Sequence, residues 1–290
     1  MTQSPDFLGF LDGQVMTFGR IAAELRRRGD YSGGGIYDAE RTFNGRVFEL
    51  RRHLHRMFDG LEQFHINVEF DIDEIEEVTL ALLEANRPLL APGQDFTITQ
   101  IASLTRDEGA QEPTGVTVLI YFELLDFSSF AGGYRDGIRL ITPETYGLPN
   151  DAAGDGKARE NAGGQVFPLM SNGEGIITEC KGANFMFVKE GRIKLPDRGN
   201  VLPGVSMHMI LELADGEGIP VDEGEYSTSD VYRADEAFVT STRFCIMPVA
   251  SINGYAIGDS LPGHVTTRLL DGWKGQVGMD FVQQALDSLK

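Results

Sequence analysis

The chain has 290 residues, of which 41% are apolar and 24% charged, and its 44 acidic against 25 basic side chains give a formal net charge of −19. A length of this order suits two domains or one large one. So large a negative excess repels nucleic acid and anionic lipid, which excludes both as expected partners. No apolar run approaches the roughly eighteen residues a membrane span needs, and MTQSPDFLGF lacks the pattern of a secretory signal. The two cysteines, Cys180 and Cys245, make no disulfide framework and are expected as reduced thiols of a cytoplasmic protein. No metal-ligand spacing joins them to a histidine, so no metal is expected. His53, His55 and His65 are expected on a solvated helix face.

In chain order, Phe7 to Thr17 predicts two short strands turning at Asp12-Gly13. Tyr37 to Leu50 predicts a hairpin with Asn44-Gly45 at its turn. A helix follows from Arg51 to Gln63, with Leu54, Met57, Phe58 and Leu61 at helical spacing. Asp73 to Asn86 predicts a second amphipathic helix, with Ile75, Val78, Leu82 and Leu83 inward and Pro88 ending it. Strands are expected over Phe96 to Leu104 and Val116 to Leu124. From Asp126 to Gly164 the chain turns rich in Gly, Pro and Asp, with one strand at Gly137 to Thr142. A small N-terminal α+β domain over 1–130, a linker over 131–145 and a larger β-rich domain over 146–290 are expected.

In that second part, Val166 to Met170 and Gly175 to Thr178 form a strand pair turning at Asn172-Gly173. Asn184 to Leu195 is a hairpin turning at Glu190-Gly191. Ser206 to Gly216 is a helix, Thr228 to Tyr232 a short one, and Glu236 to Thr240 a strand. A hairpin turning at Asn253-Gly254 and a helix from Gly263 onward complete the chain.

Three segments carry the candidate chemistry: ITECKGANFMFV (177–188), NVLPGVSMHMI (200–210) and DEAFVTSTRFCIMPV (235–249). Taken singly, each reads as an ordinary turn or strand end. Together they have a logic. A helix starting after Gly204 offers free N–H groups and a positive dipole end to a phosphate. Ser241 and Thr242 offer hydroxyls at a strand end, and Arg56 adds charge. Glu179 can hold a proton on a heterocyclic nitrogen, and a lysine can supply a Schiff-base amine.

With these segments in order, and with RGDYSGGGIYDAERTFNGRVFELRRHLHRM (28–57) ahead of them, the chain resembles the class IV aminotransferases, the fold-type IV pyridoxal-phosphate enzymes that include branched-chain and D-amino-acid aminotransferases. The resemblance runs from about Phe7 to Trp273. It implies an α+β fold of two domains, a small N-terminal α/β domain and a larger β-barrel-like C-terminal domain, in a homodimer. It implies pyridoxal 5′-phosphate as cofactor, and an amino group moved between an amino acid or amine and a 2-oxo acid. By resemblance, Arg56 is the phosphate-binding arginine, and Glu179 pairs with the pyridine nitrogen. Val205 and Ser206 bind phosphate at the helix start, Thr242 with Ser241 binds it at the strand end, and Lys157 is the Schiff-base lysine and proton shuttle. Arg106 resembles a substrate-carboxylate position. Arg41 is a second candidate for that carboxylate, and Tyr37, on the same strand, is a candidate to line the substrate site.

The chain departs from the family's pattern around Lys157. The approach A-A-G-D-G-K is polar rather than apolar, and the interval from Lys157 to Glu179 is short by roughly ten residues, about three helical turns. No tyrosine lies within it, and Ser206-Met207 stands where Thr-Arg is usual. Either a peripheral helix has been lost and the chemistry kept, or the segment has been rebuilt. In the second case the chain is a non-catalytic relative. A lyase on the same scaffold is the other alternative.

Overall fold

The computed structural model describes residues 6–28, 34–105, 112–142 and 165–290. Arg106, Lys157 and residues 143–164, which include the end of the expected linker, lie outside the described residues. The chain divides into two compact units, Met1–Leu125 and Asp126–Lys290.

The first unit is built on an antiparallel six-stranded sheet of β1 (Leu8–Leu11), β2 (Gln14–Thr17), β3 (Gly35–Phe43), β4 (Arg46–Val47), β5 (Phe96–Thr105) and β6 (Gly115–Leu124), in the order β2-β1-β6-β5-β3-β4. Its tight turns sit where the sequence predicts. Asp12-Gly13 and Asn44-Gly45 all take positive φ, which two-residue hairpin turns require. The second hairpin is shorter than expected, because β4 has only two residues before the chain enters α2 (Leu50–Gln63). With α3 (Ile72–Asn86), α2 covers one face of the sheet. There Leu54, Met57, Leu61, Ile75, Leu82 and Leu83 close over Phe96, Ile98, Ile120 and Phe122. Asp71 caps α3 reciprocally: it accepts from the Glu74 N–H at 2.9 Å, and its own N–H donates to Glu74 at 2.9 Å.

The helix α1 (Phe18–Arg28) is not among the elements expected from the sequence. This helix buries only Ile21 fully, beside Leu11 and Leu119, so its apolar signal is one residue wide. His53 corrects another expectation. It lies 2% exposed on the sheet-facing side of α2, not on the solvated face, because its Nδ1 bonds Asp38 of β3 at 2.8 Å.

The second unit holds a nine-stranded sheet. Its members are β7 (Ile138–Ile141), β8 (Val166–Ser171), β9 (Ile177–Cys180), β10 (Asn184–Lys189), β11 (Arg192–Pro196), β12 (Val221–Gly224), β13 (Glu236–Ser241), β14 (Cys245–Ile252) and β15 (Tyr255–Ala256). The order is β12-β11-β10-β13-β14-β7-β8-β9, with β15 on β14. The sheet curls, since β9 comes back beside β10 through a bridge between Cys180 and Ala183. Both cysteines are buried. Around it lie α4 (Ala131–Asp136), α5 (Val205–Gly216), α6 (Thr228–Val231), α7 (His264–Val277) and α8 (Phe281–Asp287).

Within the stretch expected as a linker, α4 was not foreseen, because its sequence AGGYRD carries two helix-weakening glycines. Packing accounts for one of them: a Cβ at Gly133 would lie 2.6 Å from the Met247 sulfur. The expected C-terminal helix is two, divided at Gly278, which ends α7 with φ 68°. The start of α7 is closed by the chain itself. Buried Glu236 accepts from the Val265 N–H at 2.8 Å, the Thr266 N–H at 2.8 Å and the Thr266 hydroxyl at 2.7 Å. None of the described helices is long and apolar enough to cross a membrane, and the described residues hold no histidine, cysteine and carboxylate cluster able to bind a metal.

Candidate functional site

Two motifs separated in sequence meet through one side chain. Asn184, the first residue of β10 and 5% exposed, donates from Nδ2 to Glu179 Oε2 at 2.9 Å and to the Leu202 carbonyl at 2.9 Å. The Leu202 N–H donates to the same Glu179 oxygen at 3.1 Å. The strand-end Thr-Glu and the Leu-Pro-Gly before α5 are thus one hydrogen-bonded bracket. Both donors act on Oε2, so the carboxylate is oriented by one oxygen while Oε1 makes no hydrogen bond to the described residues. Burial pushes the Glu179 carboxyl above its ordinary value, and the Leu202 and Asn184 donors offset only part of that.

The bracket also sets where α5 begins. Gly204 is its N-cap and supplies no side-chain cap. A Cβ there would lie 2.1 Å from Asn184 Oδ1, so only glycine allows the helix to start against Asn184. The first intrahelical bond runs from the His208 N–H to the Gly204 carbonyl. The N–H groups of Val205, Ser206 and Met207 therefore have no acceptor among the described residues, and no acidic residue stands in the first turn. Ser206 is 7% exposed, and its hydroxyl makes no hydrogen bond among those residues.

The Thr-Ser-Thr run divides between two tasks. Thr240 is buried and spends its hydroxyl on the Cys245 carbonyl at 2.6 Å. Ser241 ends β13 and Thr242 follows it, both half-buried. Because β10 and β13 pair with Asn184 opposite Thr240, these hydroxyls stand at the same end of the sheet as the bracket. Lys181 is exposed in the turn after β9.

In the first unit, Arg56 projects from α2 toward β3. Its Nε and Nη2 donate to the two Asp38 oxygens at 2.8 and 2.7 Å, and His53 joins the same carboxylate. Burial drives the Asp38 carboxyl up, but the bonds from His53 and Arg56 outweigh it and hold the group below the usual carboxylate value. Asp38 and His53 were not singled out from the sequence as site residues. The signal available was the His-x-x-Arg spacing on one helix face, opposite an acid at a core-facing strand position. Arg41 is 2% exposed, 4.0 Å from Asp95, with its guanidinium over the Phe43 ring at 4.1 Å. Tyr37, on the same side of β3, is 72% exposed.

A sheet-and-helix unit followed by a curled nine-stranded sheet, with a free helix start beside a bracketed glutamate, makes an α+β architecture of two units, that of the fold-type IV aminotransferases. The chain belongs to the class IV amino-transferase family, whose model matches residues 35–145 and 148–252, and it is thereby a transferase enzyme. A putative branched-chain-amino-acid aminotransferase of Methanocaldococcus jannaschii is 28% identical over 279 residues, covering 91% of this chain and 94% of the relative. A D-alanine aminotransferase of Listeria monocytogenes is 26% identical over 266 residues, covering 85% and 88%.

Among solved structures, the branched-chain amino acid aminotransferase of Escherichia coli superposes with a TM-score of 0.77 at 22% identity, covering 93% of this chain and 94% of that one. A branched-chain aminotransferase from the thermophilic archaeon Thermoproteus uzoniensis, with norvaline, gives 0.75 at 21% identity, covering 94% and 96%. These structural likenesses establish the fold. Class IV aminotransferases are pyridoxal-phosphate enzymes. The residues present fit that group, because α5 offers uncommitted N–H donors and Glu179 an oriented carboxylate oxygen.

Proposed function

We propose that this protein transfers an amino group between an amino acid or amine and a 2-oxo acid, using pyridoxal 5′-phosphate. The observation that carries the reading is the bracket of Glu179, Asn184 and Leu202 next to the uncapped start of α5. When bound, the cofactor supplies an electron-withdrawing ring that lets a proton leave the carbon bearing the amino group.

The chain's own residues divide the remaining work. The N–H groups of Val205 and Ser206, with the Ser206 hydroxyl, hold a phosphate by hydrogen bonds and the positive end of the helix. Ser241 and Thr242 add hydroxyl donors to the phosphate, and Arg56 adds positive charge. Glu179 keeps a ring nitrogen protonated through Oε1 while Asn184 and Leu202 fix its other oxygen. Lys157 is the amine that anchors the cofactor and then moves a proton as general base. Arg106 grips the substrate carboxylate, and Tyr37 lines its approach. Arg41, given its burial beside Asp95, acts as a support for that strand, or as a carboxylate partner where Asp95 yields it. The working form is a cytoplasmic homodimer.

The test is to incubate the protein with pyridoxal 5′-phosphate, reduce with borohydride and map the labelled peptide, for wild type and Lys157→Ala. Label on Lys157, absent from the variant, together with amino transfer to 2-oxoglutarate, supports the reading. Absence of label from Lys157 of the wild type refutes the Lys157 assignment.

A further inference from the structure

Among the described residues, Glu40 is a fully buried acid whose two carboxyl oxygens both lack a hydrogen-bond partner. It lies on β3 two residues after Asp38, and strand alternation sends both side chains to the face covered by α2 and α3. From α2, His53 and Arg56 approach that face and bond Asp38. From β5, Gln100 stands opposite Asp38 and diagonal to Glu40. Its Nε2 donates to Thr79 of α3 at 3.3 Å, and its own Oε1 is buried without a donor. The titratable and charged groups facing Glu40 are therefore Asp38 on its own strand and His53 and Arg56 on α2. Gln100 and Thr79, from β5 and α3, do not titrate.

The Glu40 carboxyl is thus buried on the same face as Gln100, and neither of its oxygens makes a hydrogen bond of ordinary length and angle; the Gln100 side chain and the Glu40 N–H stabilise its charge only in part. A proton on Glu40 removes a buried charge that this face leaves unpaired. It also leaves Asp38 as the single negative charge answering Arg56. We propose that Glu40 is a positioning residue held as a neutral carboxylic acid behind Arg56, and that loss of its proton weakens the hold of Arg56 on a phosphate. This rests on the reading of Arg56 as a phosphate ligand. Burial and the nearby Asp38 charge both push the Glu40 carboxyl well above its ordinary value, in keeping with the geometry. Ionised, Glu40 would place a second negative charge beside the pair, and Arg56 would be shared between two carboxylates instead of one.

The experiment has two arms. Infrared difference spectra of wild type against Glu40→Gln at neutral pH read whether an un-ionised carboxyl is present. Binding of 4′-deoxypyridoxine 5′-phosphate relative to 4′-deoxypyridoxine, neither of which reacts with lysine, isolates the phosphate's contribution. That ratio is measured between about pH 7 and pH 10 for wild type, Glu40→Gln, Glu40→Leu and Arg56→Ala.

The expected result is a protonated-carboxyl band lost in Glu40→Gln. With it, the phosphate preference of wild type falls about tenfold at alkaline pH, while both uncharged Glu40 variants hold it flat. Glu40→Leu carries the comparison should Glu40→Gln fail to fold. A missing band, or the same alkaline fall in both Glu40 variants, overturns the proposal. If Arg56→Ala still loses the preference in that case, the phosphate reading of Arg56 stands. If wild type and Arg56→Ala show equal preference, both readings fall together.

Discussion

Replacing Gly204 by alanine tests whether the bracket around Glu179 is set by a steric limit. The backbone at Gly204 has φ −66° and ψ 133°, a conformation alanine adopts without strain. On backbone grounds alone the change should stabilise by about 0.4–1 kcal/mol, by restricting the unfolded chain. The contact opposes this. The added methyl carbon would lie 2.1 Å from Asn184 Oδ1, so Asn184 must move, and a forced shift of this kind costs about 1–3 kcal/mol. Asn184 cannot move without releasing Glu179 and the Leu202 carbonyl. Those bonds add about 1 kcal/mol, discounted because Glu179 is only half-buried. Net destabilisation of roughly 2 kcal/mol is expected, read as a fall in the urea midpoint at unchanged slope. In an Asn184→Ala background the same substitution should cost nothing, because the clashing atom is gone. Equal cost in both backgrounds would refute the steric account.

Glu236→Ala should be the more damaging change, since it strands two N–H groups and a hydroxyl at the buried start of α7. A loss of roughly 3 kcal/mol in urea unfolding is expected, and a loss below about 1 kcal/mol would mean that water replaces the carboxylate. Glu179→Gln should show a pH-dependent difference. Burial raises the folded-state value of Glu179 above the unfolded one, so its stabilising contribution is complete below the unfolded value and is lost as pH rises through the folded one. Wild type should therefore lose stability relative to Glu179→Gln as pH rises from about 4 through the raised folded-state value, and the opposite slope would show that the Asn184 and Leu202 donors dominate.

Much of the fold was legible because turn chemistry is local. Asp12, Asn44, Glu190 and Asn253, each followed by glycine, take left-handed backbone at the four hairpin turns. The core face of α2 follows from Leu54, Met57 and Leu61 at helical spacing. Elements whose signal is weak or depends on tertiary packing were not legible. α1 buries one residue fully, α4 contains two glycines, and β12 is a four-residue strand without a buried position that pairs in parallel with β11. The link from Glu179 to Leu202 through Asn184 also escaped the sequence, since nothing in the spacing of three separate residues says which one bonds the others. His53 was misjudged for a related reason. Its partner Asp38 is on another element, and a histidine's burial follows the partner rather than its helix neighbours.

The chain treats its two longest C-terminal helix starts in opposite ways. At α7 it inserts a carboxylate of its own, Glu236, while at α5 the run from Val205 to Leu211 contains no acid. The positive end of α5 is thereby left without a carboxylate from its own first two turns. An aspartate arising at Ser206 or Met207 would occupy the positive end of the helix from within, and the protein would then carry its own competitive inhibitor of anion binding.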